Sequence, residues 1–418
     1  MLTTADNTPR PVIDATTRIL GMHAIVPLAY DGIDLVPLWN ELAGRVGANG
    51  ADAAAMVDLA TILQSHGRTN DALPILKGAI EMQRDYCVVH GDGSGLRLLA
   101  FVTAGDFMAN TPLDFLLNGS NAVLWLRYVD GDTTDLDNLP DYDIAFMAIG
   151  ESNDNGPVLD RMRDLLAAFP GPILNNDPAL INNLTRDGVS AMLANEPSLL
   201  SPSTARVTRD ALTAVARGTA VLSDLTPGLD FPIIVRPIGT HAGNGMERFT
   251  TRFELAAWLD TQPDPYLYIA PYIDYAGPDG LFNKQRIVFI QGKAYPSHMA
   301  LSNHWIVHYL SSGMPDSPEK RAVEQAWMEN FDTDFAVRHK SAFDALYRHI
   351  GLDYFGIDSA ELPDGRLLVF EVDVAMLVHD MDSAEIYPYK KVAMQKLFDD
   401  FVAAIVATGH ADTQRSAA

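Results

Sequence analysis

The stretch Asp353-Tyr354-Phe355-Gly356-Ile357-Asp358-Ser359-Ala360-Glu361-Leu362-Pro363-Asp364-Gly365-Arg366-Leu367-Leu368-Val369-Phe370-Glu371-Val372-Asp373 decides how the rest of the chain is read. Two strand-like runs, 353–360 and 366–373, flank Pro363-Asp364-Gly365. An Asp-Gly pair between such runs signals a two-residue hairpin turn. With Asp364 and Gly365 as the central pair, Pro363 faces Arg366, and counting back along both strands seats Asp358 opposite Glu371. Asp373, two residues beyond Glu371, shares its face. The other face carries Phe355, Ile357, Leu368, Phe370 and Val372 and reads as core. At ~5 Å and an effective dielectric of ~20, each like-charged pair on the acidic face repels by roughly 3 kcal/mol. Protonation, a basic partner such as Arg366 or Lys390, or a hard cation answers that repulsion. Three oxygen donors on a rigid hairpin suit magnesium shared with the phosphates of a nucleotide.

A second constellation lies upstream. Phe231-Pro232-Ile233-Ile234-Val235-Arg236-Pro237 reads as a strand ending in a cation, followed by Ile238-Gly239-Thr240-His241-Ala242-Gly243-Asn244-Gly245-Met246. A glycine-rich loop after a strand can wrap polyphosphate with backbone N–H groups. No Gly-Lys-Ser/Thr follows, so it is not a Walker loop, and its glycine spacing is not that of a dinucleotide fingerprint.

Taken in this order, the two constellations resemble the ATP-grasp superfamily. The resemblance covers about 182–409, and about 96 onward with the preceding α/β stretch. It implies that Arg186 and Arg236 stand where that family places two phosphate-holding cations, usually lysines; the arginine fork keeps the charge but changes its shape. Gly239, Thr240, His241, Gly243, Asn244 and Gly245 match its phosphate-covering loop. The run 268–272 matches the strand that meets adenine, at Ala270 and Tyr272, with Asp274 in reach of the ribose. Asp358, Glu371 and Asp373 match the metal site, Asp373 replacing the usual Asn. Arg286 looks like the arginine that faces the reacting acyl group. The cofactors implied are ATP and Mg2+, expected as two ions.

Around this core the chain divides into three stretches. Residues 1–90 are expected to be helical, with apolar steps at Leu35, Leu38, Leu42 and at Leu59, Ile62, Leu63. Within them, 58–82 resembles a single degenerate tetratricopeptide repeat through Leu59-Ala60, Gly67-Arg68 and Ala72-Leu73. One copy cannot stand alone, so it reads as a docking surface or as a helical cap leaning on the rest of the protein. Residues 91–181 alternate short apolar runs with helical stretches, which predicts a small parallel-sheet α/β domain. There Gly91, Gly93 and Gly95 precede the first strand and read as a linker. Gly150-Glu151-Ser152-Asn153 follows a strand and reads as a ligand crevice or an ordinary loop. Residues 182–418 hold the ATP-grasp-like domain, with 202–218 and 318–350 expected to be helical and a strand at 286–290. The fold class expected is therefore α/β (α+β).

Composition narrows the function. The 418 residues are 48% apolar and carry 54 Asp plus Glu against 30 Lys plus Arg, a net charge of −24. That charge argues against nucleic acid and anionic membrane as partners. Cys87 is the one cysteine, so an internal disulfide and a thiolate zinc cluster are excluded. A polar N-terminus predicts a cytoplasmic protein. Between Lys293 and His308 lie Tyr295, His298, Ser302, His304, Trp305 and His308. This is the expected acceptor wall, in which His298 and His304 are candidates for substrate contact or general-base work. His-Trp-Ile-Val-His lacks the Glu of a zinc-protease helix. What the resemblance implies is ligation of a carboxylate to an amine through an acyl phosphate, on an amino acid or small peptide. A peptide- or protein-modifying ligase and a non-ligating nucleotide scaffold or phosphotransferase are the alternatives. A homo-oligomer is left open.

Overall fold

The computed structural model describes residues 10–240 and 243–416, with side chains through residue 409. The apolar steps near the N-terminus form helices Met22–Tyr30, Val36–Ala48, Ala53–Ser65 and Thr69–Met82. Asp52 caps the third by accepting from the Ala55 amide, satisfying one of the donors a helix start leaves open. Ile25, Leu42, Leu59 and Ile62 close one small core. Leu63, Leu76 and Ala79 close another with Tyr86. The third and fourth helices make a hairpin, and nothing in it marks a tetratricopeptide unit rather than any packed helical pair. No helix among the described residues is long and apolar enough to cross a membrane.

The helical pattern was expected to run to Tyr86, yet Asp85–Val89 is a strand, β1. Tyr86, Cys87 and Val88 are fully buried in it, and tertiary burial overrides the local pattern. With β2 (Arg97–Val102), β3 (Val123–Tyr128), β4 (Ile144–Met147) and β5 (Ile173–Leu174) it forms a sheet ordered β1-β3-β2-β4-β5. All neighbours are parallel except β1 against β3. The C-terminal helix Pro388–Ser416 lays Phe398, Phe401 and Ile405 over Leu98, Ile144 and Phe146 of this sheet. The stretches 91–181 and 182–418 thus share a core.

The following strands are β6 (Leu199–Leu200), β7 (Ala205–Thr208), β8 (Ile233–Pro237), β9 (Glu247–Phe249) and β10 (Tyr266–Pro271). Next come β11 (Phe282–Ile290), β12 (Lys293–Ser302), β13 (Tyr354–Glu361) and β14 (Leu367–Asp373). Two further sheets result, β7-β10-β8-β9 and β12-β11-β13-β14-β6. The expected helix over 202–218 is instead β7 followed by the helix Arg209–Arg217, because β7 completes the edge of β10. The glycine-rich loop joins antiparallel β8 and β9. Gln291 and Gly292, both at positive φ, make the two-residue turn between β11 and β12. A continuous core runs from Leu99 and Phe101 of the first sheet to Phe289, Phe355 and Ile357 of the third. Buried Asn175 ties the two by bonding both the N–H and the C=O of Tyr354, at 2.8 Å each.

The acidic hairpin departs from expectation at its tip. The Leu362 amide donates to Arg366 and Gly365 donates back to Leu362, both at 2.9 Å, around a three-residue loop with Gly365 at φ 86°. Near the loop Glu361 faces Leu367 and Ser359 faces Val369, one residue off the register expected from a two-residue turn. A bulge at Phe370 then restores it, so Asp358 does face Glu371. The bulge also takes Phe370 out of the expected core: it is half-buried, and its ring packs 5.0 Å from that of Tyr275.

Candidate active site

The four-stranded sheet and the five-stranded sheet that carries the acidic hairpin face each other across a cleft of about 300 Å³. On the third sheet the register aligns His298, Arg286, Asp358 and Glu371 in one row across β12, β11, β13 and β14. A bulge in β12 at Ser297 is what brings His298 opposite Arg286. Arg286 grips Asp358 in a fork, Nε to Oδ1 at 2.8 Å and Nη2 to Oδ2 at 3.1 Å, and Lys284 Nζ reaches Oδ2 at 2.8 Å. Burial works against the Asp358 anion, but Arg286 and Lys284 hold its carboxyl well below the usual range. Arg186, at the start of helix Arg186–Leu193, donates to Glu371 at 2.6 Å. The basic partners considered from sequence are engaged elsewhere, Arg366 with Asp364 and Lys390 with Glu324 and Asp382.

The opposing sheet carries a different row. Tyr268 on β10 stands between Arg206 on β7 and Arg236 on β8. Arg206 donates to the Tyr268 hydroxyl at 3.0 Å. Among the described residues buried Arg236 bonds only Thr240, through its carbonyl and hydroxyl, and Nε has no hydrogen-bond partner. No carboxylate pairs with it among the described residues. Burial, with Arg186 nearby, pushes its guanidinium down to about 10. A buried cation with no carboxylate in direct contact, only the more distant charge of Glu371, is a place where an anionic ligand gains much.

The expected phosphate loop closes this side. Gly239, Gly243 and Gly245 all adopt positive φ, and a Cβ on Gly243 would stand 2.8 Å from Ile306. His241 lies outside the described residues. Asn244 is exposed. Gly239 and Thr240 line a smaller recess with Arg186, Glu151, Glu371 and Asp373. Asp373 is buried there, accepting from the Ala375 amide at 2.8 Å. Burial, then the charges of Glu371 and Glu151, push its carboxyl up to about 7. The carboxyl of Glu151 is likewise raised by burial.

Other expected residues are placed unevenly. Ala270 and Tyr272 line the cleft, and Arg248 stacks 4.1 Å over the Tyr272 ring. Asp274 is exposed, its carboxylate accepting from the Ala276 amide. His298 lies in the charged row, its ring 4.7 Å from Tyr309 and its pKa driven well down by burial and by Arg286. His304 is exposed in the loop 303–308 that follows β12 and accepts at Nδ1 from the Ile306 amide at 3.1 Å. Trp305 and His308 line the cleft instead. Sequence reasoning left out Lys284 and Arg206 and left Glu151 open between a ligand crevice and an ordinary loop. For Lys284 the signal was present: a strand starting at Phe282 sets it two residues before Arg286, on the same face.

These donors meet a hard cation unequally. Glu371, Asp373 and Glu151 offer carboxylate oxygens in a recess where burial, with neighbouring carboxylates adding to it, raises the pKa of Asp373 and Glu151. Asp358 has both oxygens engaged by cations. Among the described residues, Asp358, Glu371 and Asp373 do not converge as a preformed ligand set.

No protein-family model matches the chain, and no curated protein matches it either. Among solved structures it is similar to the D-alanine-D-alanine ligase from Coxiella burnetii, at 12% identity and TM-score 0.46, over 77% of this chain and 98% of that one. It is also similar to the VanG D-Ala:D-Ser ligase from Enterococcus faecalis, at 11% identity and TM-score 0.45, over 76% and 100%. A RimK domain ATP-grasp protein from Sphaerobacter thermophilus matches at 14% and TM-score 0.39, over 73% and 99%. At these values the likeness carries no weight for the chemistry.

Proposed function

We propose that this cleft belongs to an ATP-grasp ligase that joins a carboxylate to an amine through an acyl phosphate. The observation that carries the reading is buried Arg236, with no carboxylate in contact among the described residues, facing the Arg286–Asp358–Glu371 row across a glycine-loop cleft. Arg236 and Arg186 would hold the nucleotide phosphates, with backbone N–H groups of Gly239, Thr240 and the Gly243–Gly245 turn. The β10 backbone at Ala270 and the Tyr272 ring would seat the base. The substrate carboxylate attacks the γ-phosphate and releases ADP; an amine then attacks the acyl carbon and phosphate leaves. Arg286, held rigid by Asp358, would stabilise the oxyanion of that second step. Closure of the loop excludes water from the reactive anhydride.

Mg2+, when bound, offsets charge on the phosphates. Glu371 and Asp373 would hold it, with Glu151 beside them. Asp358 would serve mainly to position Arg286 and Lys284. His298, neutral in its buried place, and His308 at the cleft wall are the candidates for receiving the amine proton.

The test is to incubate the full chain with ATP, Mg2+ and pooled amino acids or short peptides, following ADP and product mass. ADP release that requires both a carboxylate and an amine, with a condensation product, is the expected result. A phosphorylated product without condensation would make the protein a phosphotransferase.

A further inference from the structure

A second cluster of chemical groups lies away from the cleft. His23 sits in the first turn of helix Met22–Tyr30, His90 directly follows β1, and Asp114 belongs to the helical turn Leu113–Leu116. His23 Nδ1 and His90 Nε2 approach the same oxygen, Asp114 Oδ1, at 2.9 and 3.1 Å. The two rings stand 4.5 Å apart, tilted by 40°. Despite these distances neither contact has the direction of a hydrogen bond, and all three atoms are buried without a hydrogen-bond partner. Three orphaned polar atoms in one place are costly for a protein to keep.

A metal ion would satisfy all three at once. With arms of about 2.0–2.2 Å, adjacent ligand atoms stand roughly 3.0 Å apart at right angles and somewhat farther apart in a tetrahedron. The observed separations need little adjustment. Asp114 is held in place by its other oxygen, Oδ2, which accepts from the His23 amide at 2.9 Å. Such outer bonds commonly orient metal-bound carboxylates. Gly21 permits this approach: it has φ 82°, and a Cβ there would stand 2.6 Å from Oδ2. The side chains of His90 and Asp114 are 2% and 8% exposed, whereas His23, at 24%, opens the group to solvent.

We propose that His23 Nδ1, His90 Nε2 and Asp114 Oδ1 bind a divalent first-row transition ion of the zinc class, which ties the N-terminal helix to the first sheet. Two imidazoles with one carboxylate favour such ions over magnesium or calcium. The ligands come from segments distant in sequence, so binding is coupled to folding of the N-terminal helices.

The test uses the full chain, stripped with a chelator and titrated with zinc chloride by calorimetry, with thermal melting in parallel. One saturable equivalent of zinc is expected, with a rise in melting temperature that magnesium chloride does not reproduce. Cobalt(II) should give visible ligand-field bands. His90→Ala should weaken zinc by more than the roughly 10–100-fold that losing an outer partner costs. Should that variant fail to fold, His23→Ala, at the exposed corner, carries the same expectation. Glu371→Ala, in the cleft, should keep the zinc equivalent. No saturable zinc in the wild type, or a zinc equivalent kept in His23→Ala and lost in Glu371→Ala, overturns the proposal.

Discussion

The two walls of the cleft are built by the same device and reach opposite electrostatic ends. In each, antiparallel register sets charged residues in a row: Arg206–Tyr268–Arg236 on the four-stranded sheet and His298–Arg286–Asp358–Glu371 on the five-stranded one. The second row neutralises itself, with Asp358 held by two cations and Glu371 by Arg186. The first leaves Arg236 buried with no carboxylate in contact among the described residues. One wall is neutralised by its own side chains, whereas on the proposed function the other is completed by the ligand.

That contrast predicts stability changes of opposite sign. Arg286→Ala should have the largest effect, because it strips the buried Asp358 of its bidentate partner. A loss of about 3–5 kcal/mol is expected in denaturant unfolding, with a fall of about 10²–10³-fold in turnover. Nucleotide affinity should hardly move. Unchanged unfolding would mean that the row is not self-neutralised. Arg236→Met should instead leave the protein as stable or raise its melting temperature, since a desolvated charge is removed. Its nucleotide affinity should fall about 10–100-fold in calorimetric titration, the worth of one charged hydrogen bond. Destabilisation there would erase the distinction between the walls.

A smaller effect is expected at Asp373, where pH sharpens the contrast. Its pKa rises from the usual 3.8 to about 7 on folding, so the folded state holds the proton more tightly. This carboxyl therefore favours folding most below pH 3.8, and the contribution is lost as pH rises to about 7. In chelator at pH 8, Asp373→Asn should melt above the wild type, by on the order of 1–2 kcal/mol. The difference should shrink towards pH 4. A pH-independent difference in melting would show that folding does not raise the pKa of Asp373.

Much of the site was readable because it is local. Asp358 and Glu371 belong to one hairpin, and their pairing follows from counting, although for an incomplete reason: a three-residue loop shifts the register and the Phe370 bulge shifts it back. No sequence signal marks that bulge. His304, expected as a candidate for substrate contact or general-base work, is exposed because the chain leaves β12 after Ser302, and which histidine of that loop turns to the cleft is set by tertiary packing. Glu151 was ambiguous because a residue after a parallel strand faces a ligand only if another domain stands opposite.

The amino-acid order by itself determined the alternation of strands and helices, the acidic hairpin, the glycine loop after a cation-tipped strand and the strongly acidic surface, all set by periodicity and turn chemistry within a few residues. Tertiary structure alone decided that Arg286 meets both His298 and Asp358, that Arg186 reaches Glu371, and that His23, His90 and Asp114 share one point. Those meetings depend on how strands and helices far apart in the chain are packed. Register between them is set by burial of whole faces, which no short window of sequence contains.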